Sequence, residues 1–186
     1  MPEHDANFWK DIYQNTWGAA SDKEEQMAAI IYENTGHPVT GYGLGAGSTE
    51  YIEGSAEANG HKKGDADLHV EGTNIYIEVT GPLSKFVDRT ADLWFRPDKI
   101  ENAIMNLGSH DTFLAHYLPK EDLWRIIHVD DEFVARYRKG EFPTYTEIIR
   151  GQTETYTHVP STYHRIGMVR HLNAYINRLW HGPKES

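Results

Sequence analysis

Acidic residues near the middle of the chain are spaced so that they can share one small site. Residues 64–81 contain two runs of alternating apolar and polar side chains, separated by Gly72-Thr73. This alternation predicts a β-hairpin with one apolar and one polar face, and a glycine at the first central position suits a tight turn. In that register Asp67 lies opposite Glu78, and Asp65 lies two residues further along the same face. Opposed like charges destabilise a sheet, so we expect a divalent cation to bind between them.

The same face of the hairpin carries His69, which the register places opposite Tyr76. A histidine beside paired carboxylates can act as a general base or contact a phosphate. The alternative for the whole face is simple solvation, because acidic residues and histidines are ordinary surface residues. Aspartate is a poor strand former, however, so two aspartates within one strand favour a specific role.

The hairpin sequence resembles the core of the PD-(D/E)XK nuclease superfamily. The matching residues are Ala66-Asp67-Leu68-His69-Val70 and, after the turn, Ile75-Tyr76-Ile77-Glu78-Val79-Thr80. That family places an aspartate at the start of one strand and an acidic-x-Lys triplet in the next, and its acidic residues bind Mg²⁺-type ions for phosphodiester hydrolysis. The resemblance implies that Asp67 and Glu78 are the metal ligands, and the hairpin register adds Asp65, on the same face, as an assisting carboxylate.

Two positions depart from the family pattern, since Ala66 replaces the usual proline and Thr80 stands at the place of the lysine. The family sometimes supplies this lysine from a neighbouring helix, so Lys85 and Lys99, which follow the hairpin, are the candidates to replace it. A cation there would stabilise the negative charge that develops during the reaction. The hydroxyl or backbone carbonyl of Thr80 is a further candidate at the usual place of the lysine.

The first predicted helix offers a further carboxylate, because the family often brings one to its metal site from there. Ser21-Asp22-Lys23-Glu24 forms a capping box, which predicts a helix from residue 21 to residue 34. Glu24 falls within the apolar arc of that helix, whereas Glu25 points away. Glu24 is therefore a candidate metal ligand, and the alternative is that it only closes the capping box.

Charge is unevenly divided along the chain, whose net charge is −10. The first 80 residues carry four Lys or Arg against 14 Asp or Glu, whereas the remaining residues are balanced. Because nucleic-acid binding normally needs a positive surface, contacts to a phosphate backbone must come from local basic residues. The candidates are Lys62, Lys63, Arg89 and Arg96. This modest footprint makes a homodimer or a helper subunit an expected partner.

Composition limits the other classes of site. The chain has no cysteine, which excludes disulfides, thiolate zinc sites and a cysteine nucleophile. Oxygen-rich ligation favours Mg²⁺ or Mn²⁺ over Zn²⁺ as the cofactor. No apolar run approaches the roughly 20 residues that span a bilayer, so we expect a soluble, intracellular, cytoplasmic protein with no membrane partner.

The rest of the chain predicts helices and strands around this hairpin. We expect a single domain over residues 1–186, with a core over about 21–130 and a C-terminal strand and helix, 140–182, packed on it. The predicted elements are a helix or docked arm over 6–17, a strand over 39–44, a helix from Pro97 to Gly108, strands over 112–118 and 123–129, a helix capped by Asp130-Asp131, an edge strand over 153–159 and a helix from Ser161. The strand over 123–129 is apolar enough to be central.

This order of elements predicts an α/β fold, bordering on α+β, with a central mixed β-sheet flanked by helices. The resemblance implies that the core is restriction-endonuclease-like. Together with the acidic pair, it favours a divalent-metal-dependent nuclease that hydrolyses phosphodiester bonds of nucleic acid, with DNA as the expected substrate.

Two alternatives stay open at this point. One keeps the fold without the chemistry, as a catalytically silent domain that binds nucleic acid or protein, or that serves as a subunit of a larger complex. The other is a hydrolase or binding protein for a small phosphorylated ligand, in which the glycine-rich stretch over 41–47 takes part.

Overall fold

The structure is a computed structural model that describes residues 22–41, 66–82, 85–149 and 151–179. The helices are α1 (Asp22–Thr35), α2 (Pro97–Met105), α3 (Asp131–Arg138) and α4 (Val169–Leu179). The strands are β1 (Val39–Gly41), β2 (Leu68–Val70), β3 (Ile75–Thr80), β4 (Leu93–Phe95), β5 (Asp111–Leu118), β6 (Leu123–His128), β7 (Thr144–Ile149) and β8 (Gln152–Val159). The predicted segment over 6–17 and all of the glycine-rich stretch except Gly41 lie outside the described residues.

Five strands form a mixed sheet in the order β1-β2-β3-β5-β6. The neighbours β3 and β5 are parallel, and the other three pairs are antiparallel. A second, antiparallel sheet has the order β4-β8-β7. The predicted central mixed sheet with flanking helices is confirmed.

Two groups of buried apolar residues cover the two faces of the five-stranded sheet. Phe113 and Ala115 of β5 belong to the first group, together with Met27 of α1 and Ile176 of α4. Leu114, between them on the strand, belongs to the second group, with residues of α2, α3 and the second sheet. The alternation along β5 therefore separates a face covered by α1 and α4 from a face covered by α2, α3 and the second sheet.

Most boundaries of the predicted elements lie close to the observed ones, but the places of two strands were wrong. The strand over 123–129 was predicted to be central, whereas β6 is the last strand of the described sheet. Its apolar composition has another cause, because Trp124 and Ile126 pack into the first group and Ile127 into the second. The strand over 153–159 was predicted to be an edge, yet β8 lies between β4 and β7.

The C-terminal helix begins at Val169, later than the predicted start at Ser161. Gly167 prevents an earlier start, because its backbone pairs with Ile126 through two hydrogen bonds of 2.9 and 2.7 Å and is therefore held extended at the edge of β6. Strands β4 and β7 were not predicted: β4 has only three residues, and Thr144 to Ile148 of β7 are all exposed. Among the described residues, none of the helices is long and apolar enough to cross a membrane.

Candidate active site

The hairpin between β2 and β3 has the predicted register. Leu68 pairs with Ile77 and His69 with Tyr76, which places Asp67, just before β2, next to Glu78. The predicted turn was wrong in detail. The Thr73 N–H donates to the Val70 carbonyl at 3.2 Å, so Gly72, with φ of 80°, is the third residue of the turn and not its first central one.

One buried cluster of charged side chains lies where α2 meets this hairpin, and its members are Asp67, Glu78 and Lys99. The Lys99 ammonium lies 3.1 Å from Oε2 of Glu78 and 3.5 Å from Oδ1 of Asp67. The second oxygen of Asp67, Oδ2, accepts a 2.9 Å hydrogen bond from the Val79 N–H. Asp67 is 4% exposed, and Glu78 and Lys99 are each 7% exposed. A single ammonium within reach of both carboxylates shows that the two acidic side chains converge on one point.

Helix α2 delivers Lys99 to this point. Pro97 occupies the first helical position, where its missing N–H costs no hydrogen bond, and the preceding Arg96 is extended, so the helix begins sharply. Lys99 shares the buried face of α2 with Ile100 and Ala103. The apolar stem of the lysine side chain can pack on that face while its ammonium reaches the carboxylates.

The cluster holds two acidic groups and one basic group, and this imbalance determines its electrostatics. Burial raises the pKa of Glu78 well above its usual value, and the Asp67 carboxylate raises it further, although Lys99 opposes both effects. Burial alone would lower the pKa of Lys99, but the two carboxylates outweigh burial and raise it. Lys99 therefore stays charged, and one of the two carboxylates is costly to ionise without a further cation.

Thr80, at the family position of the lysine, lies two residues beyond Glu78 on the same side of β3, half-buried and paired with His116 of β5. His69 is stacked on Tyr76 with ring centroids 4.5 Å apart. Both ring nitrogens of His69 face oxygens, with Nε2 2.8 Å from the Thr73 carbonyl and Nδ1 3.5 Å from Glu71. His69 is thus held within the hairpin.

Glu24 is buried in the first turn of α1, at 3% exposure, and Glu25 is more exposed, as the helical wheel predicts. Within the described part of the chain, however, no group of three His, Asp or Glu side chains has the geometry of a metal site. Glu24 as a third ligand beside Asp67 and Glu78 stays a prediction.

The basic candidates differ widely in their positions. Lys85 is exposed in the loop that follows β3. Arg89 pairs with Glu121 at 2.5 Å, and Arg96 pairs with Asp98 at 2.5 Å, just before the turn of helix that carries Lys99. Asp65, Lys62 and Lys63 lie outside the described residues.

A small polar pocket adjoins Glu78 and Lys99 and could not be predicted directly from the sequence. Its other lining residues are Ala66, Tyr76, Asn102, Ala103, Asn106, His110 and Thr112. Tyr76 is sandwiched between His69 and His110, whose ring centroid lies 4.0 Å away. Two patterns could have indicated this pocket. Tyr76 shares the face of Glu78 on β3, and Asn102 of α2 and Asn106, which caps the end of that helix, follow Lys99 at helical spacing.

The cluster fits a hard divalent cation in its donor chemistry. Two convergent, buried carboxylates provide negative oxygen donors, and the raised pKa of Glu78 shows that they lack full compensation. Mg²⁺ commonly uses one or two carboxylates and completes its shell with water and substrate phosphate, so a third protein carboxylate is not required.

No protein-family model matches this chain, and a search of curated proteins finds no match. Its fold is similar to those of several solved structures. D212, a nuclease from a fusselovirus, has a TM-score of 0.44 and 14% identity over 97% of this chain and 96% of its own. Hjc, a Holliday junction resolvase from Archaeoglobus fulgidus, has a TM-score of 0.45 and 11% identity over 84% of this chain and 99% of its own. Both likenesses are distant and concern the fold alone.

Proposed function

We propose that this protein is a divalent-metal-dependent nuclease that hydrolyses phosphodiester bonds of nucleic acid, with DNA as its expected substrate. Asp67 and Glu78 hold the metal, and Lys99 takes the role of the lysine that Thr80 replaces. One observation carries the proposal: the Lys99 ammonium lies 3.1 Å from Glu78 and 3.5 Å from Asp67, so a cation on α2 completes the acidic pair of the hairpin.

Each residue of the cluster has a distinct task in this proposal. When bound, Mg²⁺ or Mn²⁺ supplies a water of lowered pKa and a Lewis acid for the phosphate. Asp67 is held in place by the Val79 N–H and presents a fixed negative oxygen. Lys99 keeps its positive charge in a buried setting, where it stabilises the negative charge that develops on the phosphate more strongly than in water.

The alternative function is a catalytically silent domain of the same fold that binds nucleic acid or protein. The net charge of −10 favours this alternative, because a nuclease must bring a polyanion to its site. The ion pairs of Lys99 would then serve stability alone. Metal binding and cleavage separate the two functions.

The test is a cleavage assay on labelled single-stranded, double-stranded and branched DNA, and on RNA, with Mg²⁺ or Mn²⁺ and with a chelator control. Glu78→Ala is expected to abolish cleavage and the heat of metal binding in calorimetry. Lys99→Met is expected to lower cleavage by about 100-fold or more while metal binding persists, because the lysine stabilises the transition state and does not ligate the metal.

Lys85→Met is the matched control, since Lys85 is an exposed lysine that also follows the hairpin. It is expected to cleave like the wild type. The double variant Thr80→Lys, Lys99→Met returns a lysine to the family position and is expected to recover part of the lost activity. Absence of both cleavage and metal binding in the wild type would favour the silent domain. Full activity of Lys99→Met would remove Lys99 from the mechanism.

A further inference from the structure

The ribbon formed by β7 and β8 has an open edge. Strand β4 pairs with Val159 to Thr157 of β8, and beyond that point β7 and β8 continue as two strands alone. Thr144 to Ile148 are all exposed, as are Thr153 and Thr155 of the neighbouring strand. In the described part of the chain, no strand pairs with the other side of β7.

The hydrogen bonds of the ribbon show which backbone groups face this edge. The His158 N–H donates to the Pro143 carbonyl at 2.8 Å, and successive pairs in an antiparallel ladder alternate between bonded and non-bonded. Thr144 and Thr146 therefore belong to non-bonded pairs. Their hydroxyls lie only 3.2 and 3.1 Å from those of Thr157 and Thr155, as expected where side chains approach closely. Thr144, Thr146 and Ile148 thus direct their N–H and C=O groups outward.

This edge has few of the devices that usually prevent pairing between sheets. Natural edge strands are blocked by charged side chains, lysine above all, and by proline, bulges or very short length, and of these β7 has one charged residue, Glu147. The sequence of β7, Thr-Tyr-Thr-Glu-Ile-Ile, contains no lysine, proline or glycine, and its register with β8 is continuous over all six residues. Ile148 is 78% exposed and Tyr145 is 51% exposed. A straight edge of strong strand formers is therefore presented to solvent.

We propose that β7 pairs antiparallel with β7 of a second copy of this chain, about a two-fold axis at Thr146, so that two three-stranded sheets become one six-stranded sheet. With a two-fold axis perpendicular to the sheet, residues that lie opposite each other share a face. Thr146 of one copy therefore lies opposite Thr146 of the other, and Thr144 lies opposite Ile148. These are the residues whose backbone groups point outward. Five residues of each strand then pair with no like charges opposed.

The second face of the ribbon is also complementary to itself in this pairing. Within one chain Glu147 and Glu154 are paired directly across the strands, and Tyr156 donates to Glu154 at 2.7 Å. The two-fold pairing places Tyr145 of the second copy opposite Glu147. Glu147 thereby gains a tyrosine neighbour, as Glu154 already has one within its own chain. This contact offsets the repulsion between Glu147 and Glu154.

A second copy suits this edge better than nucleic acid does. Strands β7 and β8 contain two glutamates and no lysine or arginine, so the ribbon repels phosphates. Pairing of one strand buries less than the roughly 1,200 Å² at which stable interfaces begin, so we expect a weak dimer that dissociates on dilution.

The test is sedimentation equilibrium of the full chain over a wide concentration range. The wild type is expected to shift from monomer to dimer, whereas Thr146→Lys, which places two ammonium groups at the axis, is expected to stay monomeric at the highest concentration. The matched control is Thr155→Lys, because Thr155 pairs with Thr146 on the same face but lies on β8, one strand away from the proposed interface. It is expected to dimerise like the wild type.

The register is tested by mixing. Thr146→Glu alone is expected to stay monomeric, but an equimolar mixture of Thr146→Lys and Thr146→Glu is expected to form a heterodimer that dissociates in high salt. A wild type that is monomeric throughout would overturn the proposal. So would a Thr146→Lys protein that dimerises normally, or a Thr155→Lys protein that loses the dimer equally. Circular dichroism of each variant separates loss of pairing from loss of fold.

Discussion

Lys99 brings a positive charge to the two carboxylates of the hairpin, and this small number of charges governs the stability of the site. Removing one member of a buried ion pair leaves the other charge without compensation, whereas removing both members can be nearly neutral. Asp67 and Glu78 both belong to the hairpin, whereas Lys99 belongs to α2. If the ammonium is missing, the hairpin must bury two carboxylates without a cation, and the packing of β2 and β3 is therefore destabilised.

Lys99→Met is expected to lower the free energy of unfolding by about 3 to 5 kcal/mol, because two buried carboxylates are left without their cation. Glu78→Gln together with Lys99→Met is expected to cost less than the sum of the two single changes, since the pair is removed as a unit. Urea unfolding of the four proteins at pH 7 without metal gives the interaction energy. Strict additivity would show that the ion pair does not couple the two residues.

Metal binding is expected to become weaker as the pH falls, and to do so at a higher pH than for an ordinary glutamate. The pKa of Glu78 is raised by burial and by Asp67, and a metal binds only the ionised carboxylate. Metal binding in this range must therefore release a proton. Calorimetry in two buffers of different ionisation enthalpy measures that release. Heats of binding that do not depend on the buffer would contradict the raised pKa of Glu78. Glu71→Gln, at an exposed carboxylate of the same hairpin, is the control and is expected to release protons like the wild type.

At the scale of elements, α4 is tied to the end of the sheet by a half-buried polar group. Asp111, at the start of β5, accepts hydrogen bonds from Tyr175 of α4 and from Nε2 of His128, the latter at 2.5 Å. Burial alone would raise the pKa of Asp111, but these two hydrogen bonds outweigh it and hold the pKa below its usual value. A lowered carboxylate pKa stabilises the fold above the unfolded pKa and loses that effect as the pH falls through the folded value.

Tyr175→Phe is expected to lower the free energy of unfolding by about 1 to 2 kcal/mol at pH 7, because one hydrogen bond to a charged group is lost. The difference from the wild type is expected to shrink as Asp111 becomes protonated below pH 4 or so. Denaturant unfolding at several pH values measures both effects. Tyr145→Phe, at an exposed tyrosine, is the control, and its free energy of unfolding is expected to change little. A difference for Tyr175→Phe that persists undiminished at low pH would contradict the hydrogen bond between Tyr175 and the ionised Asp111.

The hairpin could be predicted from the sequence because its alternation, its turn residues and its register are local properties. The same holds for the N-terminal ends of α2 and α3, where Pro97 and the Asp130 cap act within one turn. Lys99 could be predicted from the sequence as a candidate, but it could not be distinguished from Lys85. Which of the two lysines reaches the carboxylates depends on how the loop after β3 positions α2. Arg125 of β6 holds this loop by donating to the carbonyls of Arg89 and Ala91, which is a contact between distant segments.

Strand order was harder to predict, because it depends on partners that are remote in sequence. The apolar run of β6 predicts burial on both faces but does not say whether a neighbour is another strand or the single residue Gly167. Strand β7 escapes detection for the opposite reason. Both of its faces are exposed, so it has no alternation of apolar and polar residues to reveal it.

At the scale of the whole molecule, the fold buries a neutral histidine in its interior. His116 of β5 is 0% exposed, and its Nδ1 accepts from the Arg125 guanidinium at 3.2 Å, so its proton lies on Nε2. Burial, then the charges of Arg125 and Lys23, lower the pKa of His116 well below its usual value. The unfolded chain therefore binds a proton near pH 6.5, whereas the folded protein does not.

The free energy of unfolding is expected to fall below pH 6.5 or so, with His116 contributing a slope of about 1.4 kcal/mol per pH unit. His116→Gln retains an acceptor for Arg125 and does not titrate, so its stability is expected to decline less steeply. Chemical unfolding between pH 7 and pH 5 measures the two slopes. Equal slopes for His116→Gln and the wild type would show that His116 is protonated in the folded protein.

The placement of Lys99 on a helix bears on how relatives of this chain can be found. A search pattern that requires an acidic residue and a lysine two positions apart in one strand passes over this sequence at Thr80. A pattern suited to this architecture would keep the aspartate and glutamate of the hairpin and would then ask for a lysine two residues after the proline that begins the next helix, as Lys99 follows Pro97. Among relatives found without requiring either feature, the acidic pair and the helical lysine would be kept or lost together, and that correlated pattern of inheritance would be the evolutionary signature of a shared site.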